Sequence, residues 1–137
     1  IFYLLTFFLL TKMCLLFNLF VEYYNLFIIH FKGVIFMFIV NLTYIKPLEE
    51  VEKHLQQHII FLEQHYKKGY FIASGRKNPR TGGIILAKAN HKKIIQEIIT
   101  QDPFYQNEIA QYDIIEFEAS KYCPEFETII SKPFGDK

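Results

Sequence analysis

The chain has 137 residues, of which 51% are hydrophobic and 21% are charged, and this length is typical of one domain. Its formal net charge of +1 creates no strong electrostatic field, and it shows no basic stripe, so we expect no nucleic-acid partner. Cys14 and Cys123 form no disulfide framework and no metal-binding motif, which indicates a reducing compartment, and we therefore predict a cytoplasmic protein.

The composition changes at Met37, and residues 1–36 are almost wholly apolar. One interpretation is a membrane anchor, although Lys12, Glu22 and Lys32 interrupt the run of ~20 apolar residues that a spanning helix needs. A second is a signal peptide, for which a basic start and a small-residue cleavage site are missing. We favour a third, the translation of an AT-rich upstream region, because the segment is rich in residues whose codons contain only A and T. We therefore predict that residues 1–36 lie outside the domain, with a membrane-anchored protein as the alternative if the segment is real.

Residues 37–44 alternate between two faces and are rich in β-branched and aromatic side chains, so they predict a strand. Pro47 suits the first position of the helix that follows, and Gly69 suits its end. Apolar residues recur between them at spacings of three and four, which is typical of an amphipathic helix. The predicted buried face of this helix comprises Val51, Leu55, Ile59, Leu62 and Tyr66.

Two further strands are predicted at residues 70–74 and 84–88, and a turn-rich loop joins them. Asn90 is predicted to cap a second helix that runs to about residue 101, where Pro103 ends it. A fourth strand follows at residues 111–118. One or two helical turns are predicted at residues 124–131, before a tail at residues 132–137.

This order of elements predicts an α+β fold of the ferredoxin-like βαββαβ type, with a four-stranded antiparallel sheet and two helices on one face. The other face would carry apolar side chains such as Ile39, Ile84 or Ile85, and Ile114. An exposed apolar sheet face typically marks an interface. We therefore predict that residues 37–131 form a homodimer with opposed sheet faces, a dimeric α/β barrel.

Several short motifs appear in a characteristic order along residues 37–117. They are His58 on the first helix, Gly69 at its end, Ser74-Gly75 after the second strand, Gly82-Gly83 before the third, and Asp102-Pro103-Phe104 after the second helix. In order and spacing, the sequence resembles the YciI-like (YCII-related) family of the dimeric α/β barrel superfamily. Arg76 departs from the pattern, since many members carry proline at that position.

The resemblance implies that His58 and Asp102 form an active-site pair in an enzyme that needs no cofactor and acts on a small molecule. An imidazole can exchange a proton near neutral pH, and a carboxylate can fix its tautomer and stabilise the imidazolium. The reaction type implied is that of a lyase or isomerase, by proton transfer. The alternative is a non-catalytic dimer that binds a ligand or partner, in which His58 is structural and Asp102 only stops a helix.

Ser74, Gly75, Arg76 and Arg80 are the residues we expect to bind substrate, because a basic loop could attract an anionic molecule over His58. A plain solvated hairpin is the alternative, since the loop lacks the spacing of a phosphate-binding loop and leads into a strand. His54 and His58 lie one helical turn apart, but a metal would also need a carboxylate beside them. The sequence shows none there, so no metal is expected.

Overall fold

The computed structural model describes residues 35–135, and the predictions for residues 1–34 and for the last two residues lie outside this range. The elements, in chain order, are β1 (Phe36–Tyr44), α1 (Leu48–Lys67), β2 (Phe71–Arg76), β3 (Gly82–Ala89), α2 (Lys92–Ile99), α3 (Pro103–Gln106), β4 (Ala110–Phe117) and α4 (Pro124–Ser131). Within the described residues, no helix is long and apolar enough to cross a membrane.

The strands of this described region form one four-stranded sheet in the order β2-β3-β1-β4, and every neighbouring pair is antiparallel. Alternate residues of β1 point into the core, because successive side chains of a strand face opposite sides of the sheet. Residues from α1 and α2 share that core with them, so both helices cover the same face. The structure therefore confirms the predicted ferredoxin-like α+β fold.

Helix α1 begins after Pro47, which takes the capping position rather than the first helical one, and Gly69 ends it with a φ of +78°. Its predicted apolar face is wrong at one position. Ile59 is exposed, and the buried stripe includes His58 and His65 instead. The His65 ring can join the core because its Nδ1–H donates to a main-chain carbonyl one turn earlier, at 3.0 Å.

The region around α2 differs from the prediction in two ways. His91, not Asn90, occupies the capping position, and α2 ends earlier than expected. A further helix, α3, follows at once because Asp102 caps it: the Asp102 side chain accepts a hydrogen bond from the Phe104 amide, and Pro103 takes the first helical position. Asp102 therefore starts a helix as well as following one.

The face of the sheet opposite α1 and α2 is partly open. Ile39 pairs with Ile115 across β1 and β4, whereas Ile114 pairs with Val40 and faces the core. The prediction that Ile114 lies on the open face is therefore wrong, because the register places Ile115 there, 49% exposed. Of the two β3 candidates, Ile84 lies on this face, whereas Ile85 pairs with Val40 and faces the core.

Lys88 also lies on the open face, yet it is only 2% exposed. Its ammonium group donates hydrogen bonds to the carbonyl oxygens of Ile129 and Lys132, each at 2.6 Å. The C-terminal segment that contains α4 therefore covers this end of the sheet. Gly82 marks the other end of β3, where a β-carbon would lie 1.9 Å from the Leu42 carbonyl oxygen and only glycine fits.

Candidate active site

His58 and Asp102 meet between α1 and the junction of α2 with α3. The His58 Nδ1 atom lies 2.8 Å from Asp102 Oδ1, so the two expected site residues are in hydrogen-bond contact. The Asp102 side chain is 0% exposed, and that of His58 is 11% exposed. Asp102 has extended backbone angles before Pro103, which direct its side chain inward.

The Asp102 carboxylate accepts hydrogen bonds from three donors in the described part of the chain. Oδ1 accepts the Phe104 amide at 2.9 Å as well as His58 Nδ1–H, and Oδ2 accepts the Tyr112 hydroxyl at 2.7 Å. An ionised carboxylate can only accept, so we expect the neutral imidazole to carry its proton on Nδ1. The Nε2 lone pair of His58 is left for another partner.

Tyr112 can act as a donor because it keeps its proton. Burial, followed by the negative charge of Asp102 and the hydrogen bond to it, raises the pKa of the Tyr112 phenol well above its usual value. The phenol therefore stays neutral over the range of pH in which proteins are normally studied.

The Phe104 side chain fixes the plane of the imidazole. Its ring is stacked on the His58 ring with a centroid distance of 4.1 Å and an interplanar angle of 3°. Phe104 is itself buried in the core, so the ring cannot move aside without opening the packing. His58 is thus held by a hydrogen bond at Nδ1 and by a flat apolar surface on one side.

A cavity of about 150 Å³ borders His58. A cavity of this size can accommodate a benzene-sized ring. Its walls are mainly apolar side chains from α1, β1 and β3, and its polar groups are Tyr44, His58, Ser74 and Arg76. Ser74, Gly75 and Arg76, which the sequence singled out for substrate binding, therefore all line the same cavity as His58.

Two of the predicted substrate-binding residues have partners that define their positions. Ser74 Oγ accepts a hydrogen bond from the Tyr66 hydroxyl at 2.7 Å, which ties β2 to α1. Arg80 does not line the cavity; its guanidinium forms an ion pair of 2.5 Å with Glu52 on α1, which raises the pKa of Arg80. The loop before β3 is therefore attached to the helix that carries His58.

Sequence reasoning missed that Phe104 stacks on His58, that Tyr112 binds Asp102 and that Tyr44 lines the cavity. Phe104 belongs to the Asp-Pro-Phe motif, and Tyr112 pairs with Leu42 on the core face of β4. A polar side chain in that position needs a buried partner, and this was the available signal. Among residues 35–135, no group of three His, Cys, Asp or Glu side chains is arranged to hold a metal ion.

The family model of the YCII-related domain matches residues 37–118 of the chain. No curated protein matches the sequence. Among solved structures, the fold is similar to that of 5-chloro-2-hydroxyhydroquinone dehydrochlorinase from Burkholderia phenoliruptrix, in complex with 2,5-dihydroxybenzoquinone. That similarity has 15% identity and a TM-score of 0.52, and it covers 60% of this chain and 93% of the other.

A weaker similarity is to SnoaB, a cofactor-independent oxygenase from Streptomyces nogalater. It has 12% identity and a TM-score of 0.42, and it covers 66% of this chain and 97% of the other. At these identities, the similarities to solved structures concern the fold.

Proposed function

Because the chain belongs to the YCII-related domain family, we propose that it is an enzyme that acts on a small molecule by proton transfer through His58, without a cofactor. One observation carries the proposal. The Nδ1 side of the imidazole is bound to a buried carboxylate, while the same ring borders a cavity of about 150 Å³. A histidine with only a packing role has no need of an adjoining cavity.

His58 serves as the general base in this proposal. Its Nε2 lone pair takes a proton from a hydroxyl or an activated C–H group of the substrate, and the resulting imidazolium is stabilised by the Asp102 carboxylate. The imidazolium then returns the proton to a different atom, as in an isomerase, or to a leaving group, as in a lyase. Such transfer typically contributes about 10²–10⁴-fold to a rate.

The cavity favours a small, flat substrate with an ionisable oxygen. Its apolar walls suit a ring, and Arg76 places a positive charge at the wall beside Ser74. The dehydrochlorinase with the similar fold acts on a hydroxylated ring. We therefore propose hydroxylated aromatic, quinol or keto-enol compounds as the substrate class.

Turnover of such compounds tests the proposal. The full chain is incubated with a panel of them in deuterium oxide, and NMR detects deuterium incorporation or loss of a leaving group. His58→Gln should lower the rate of any positive compound about 10²–10⁴-fold. His54→Gln is the matched control, because it makes the same change on the same helix one turn away, outside the cavity lining. Equal rates for the two variants would overturn the proposal.

We further propose that a second copy of the chain covers the open sheet face. Ile84, Ile115 and Phe117 support this, because all three are exposed apolar side chains of the sheet. Sedimentation of the full chain should show a dimer at micromolar concentration. Ile115→Lys should shift it to monomer, whereas Glu116→Lys, on the opposite face of the same strand, should not. A monomeric parent chain would contradict this.

A further inference from the structure

We propose that Tyr112 is a positioning residue of this site, whose hydroxyl holds the Asp102 carboxylate and so sets how strongly Asp102 attracts the Nδ1 proton of His58. The inference rests on the proposed function, because it concerns the same His–Asp pair. It adds a third residue, from a different element, that does not line the cavity.

Three separate elements meet at Asp102. Tyr112 lies on β4, His58 on α1, and Asp102 at the start of α3. The Tyr112 hydroxyl donates to Oδ2 at 2.7 Å, and His58 donates to Oδ1 at 2.8 Å, so the two donors occupy opposite oxygens of one carboxylate. Between residues 35 and 135, Tyr112 is the donor that the structure shows on Oδ2.

The carboxylate is fully buried and has no Lys or Arg partner in the described region, so hydrogen bonds alone disperse its charge. The titratable groups that face it are His58, Tyr112 and, beyond Tyr112, Tyr44. If the phenol O–H is removed, Oδ2 has no donor, and more of the charge acts on Oδ1. The hydrogen bond from His58 should then strengthen, and the imidazolium should be favoured.

Tyr112→Phe isolates this effect because the ring remains and only the hydroxyl is lost. Tyr105→Phe is the matched control. The Tyr105 ring makes an edge contact with the Tyr112 ring, with centroids 5.7 Å apart, but its hydroxyl does not bind Asp102. A role limited to ring packing would give the same result for both variants.

The experiment is NMR of the full chain labelled with ¹⁵N-histidine, recorded against pH. In Tyr112→Phe, the Nδ1 proton of His58 should move downfield, and the midpoint of its ring titration should rise by about 0.7 pH unit, the equivalent of one hydrogen bond of ~1 kcal/mol. Tyr105→Phe should leave both unchanged. Identical spectra for the two variants in the His58 region would overturn the inference.

A second variant tests the opposite direction and does not depend on Tyr112→Phe being folded. Site-specific Tyr112→3-fluorotyrosine makes the phenol more acidic and therefore a stronger donor to Oδ2. The titration midpoint of His58 should then fall. A midpoint that rises or does not move would contradict the inference.

The two proposals can fail separately. If turnover depends on His58 but neither Tyr112 variant moves its titration, the role of Tyr112 is wrong and the proposed function stands. If the titration of His58 responds to the Tyr112 variants but turnover does not depend on His58, the proposed function is wrong. The coupling of Tyr112 to His58 through Asp102 then stands.

Discussion

Asp102 and Lys88 are both charged side chains that the fold buries, and their surroundings differ in one important way. Asp102 is 0% exposed and Lys88 is 2% exposed, and each is bound by three groups of the described chain. Among residues 35–135, the groups that accept from the Lys88 ammonium are main-chain carbonyls, those of Ile129, Ile130 and Lys132. Asp102 instead binds an imidazole that has a second nitrogen and borders a cavity.

The comparison shows that a buried charge does not by itself identify a site. Lys88 uses its three N–H groups on the carbonyl end of α4, a favourable place for a cation. Its role is to attach the C-terminal segment to the sheet. His58 contacts the Asp102 carboxylate through one nitrogen only, and in the proposed function the other nitrogen exchanges a proton with the substrate.

The largest expected effect is that of Asp102→Asn on turnover. The amide has nearly the same size and can still accept the Phe104 amide hydrogen, so the fold should be retained. It carries no negative charge to stabilise the imidazolium, and the rate should fall roughly 10²–10⁴-fold. Steady-state kinetics on a compound that the parent chain converts would measure this. A rate within twofold of the parent rate would mean that Asp102, like Lys88, has only a structural role.

Lys88→Met should weaken the attachment of the C-terminal segment and leave turnover unchanged. The three carbonyl oxygens lose their donor, and the attachment of the C-terminal segment should weaken by about 1–3 kcal/mol. Limited proteolysis followed by mass spectrometry should find faster cleavage within residues 124–135, with turnover unchanged. Lys93→Met, on the exposed face of α2, is the control. Equal cleavage of the two variants would show that Lys88 does not hold the segment.

The burial of Lys88 should also change how the free energy of unfolding depends on pH. Burial, followed by the charge of Lys132, lowers the pKa of Lys88. In the window between this lowered pKa and the usual lysine pKa, the unfolded chain therefore binds more protons than the folded chain. Stability should rise with pH across that window in the parent chain relative to Lys88→Met. Urea unfolding of both at several pH values measures this, and a decline with rising pH would mean that the carbonyl contacts outweigh burial.

The smallest effects are expected at the end of β2 and in the loop that follows it. Arg76→Gln should raise KM for an anionic substrate about tenfold with little change in kcat, since Arg76 lines the cavity. Arg80→Gln should change KM less than about twofold and stability only slightly, because its partner Glu52 is half exposed and an exposed ion pair contributes little. A larger effect on KM from Arg80 would mean that this loop rearranges over the substrate.

The fold was largely predictable because it depends on local patterns. Alternation in β1 and the Gly69 stop are visible in short stretches of sequence. The burial of two histidines of α1 was not predictable in this way. Apolar periodicity does not include polar residues, whose burial depends on partners that are distant in the chain. Helix α3 was not predicted, because its four residues are too few to show the helical periodicity of apolar side chains.

The candidate site was predictable only in part, and for a different reason. His58 and Asp102 were singled out through the family resemblance, and the structure brings their side chains into contact. Their catalytic role stays a prediction. Tyr112 and Lys88 were missed because their partners lie far away in the chain, and only the packing of β4 and of the C-terminal segment brings them together.

If His58 is to take a proton from a substrate, its contact with the buried Asp102 carboxylate must leave one ring nitrogen unprotonated. The most direct test is the ring ¹⁵N NMR spectrum of His58 in the unligated parent chain at a pH where the ring is neutral. We expect a proton on Nδ1, with a resolved coupling to it, and an unprotonated Nε2. A proton on Nε2 would contradict the proposal, because His58 would then have no Nε2 lone pair with which to accept a proton from a substrate.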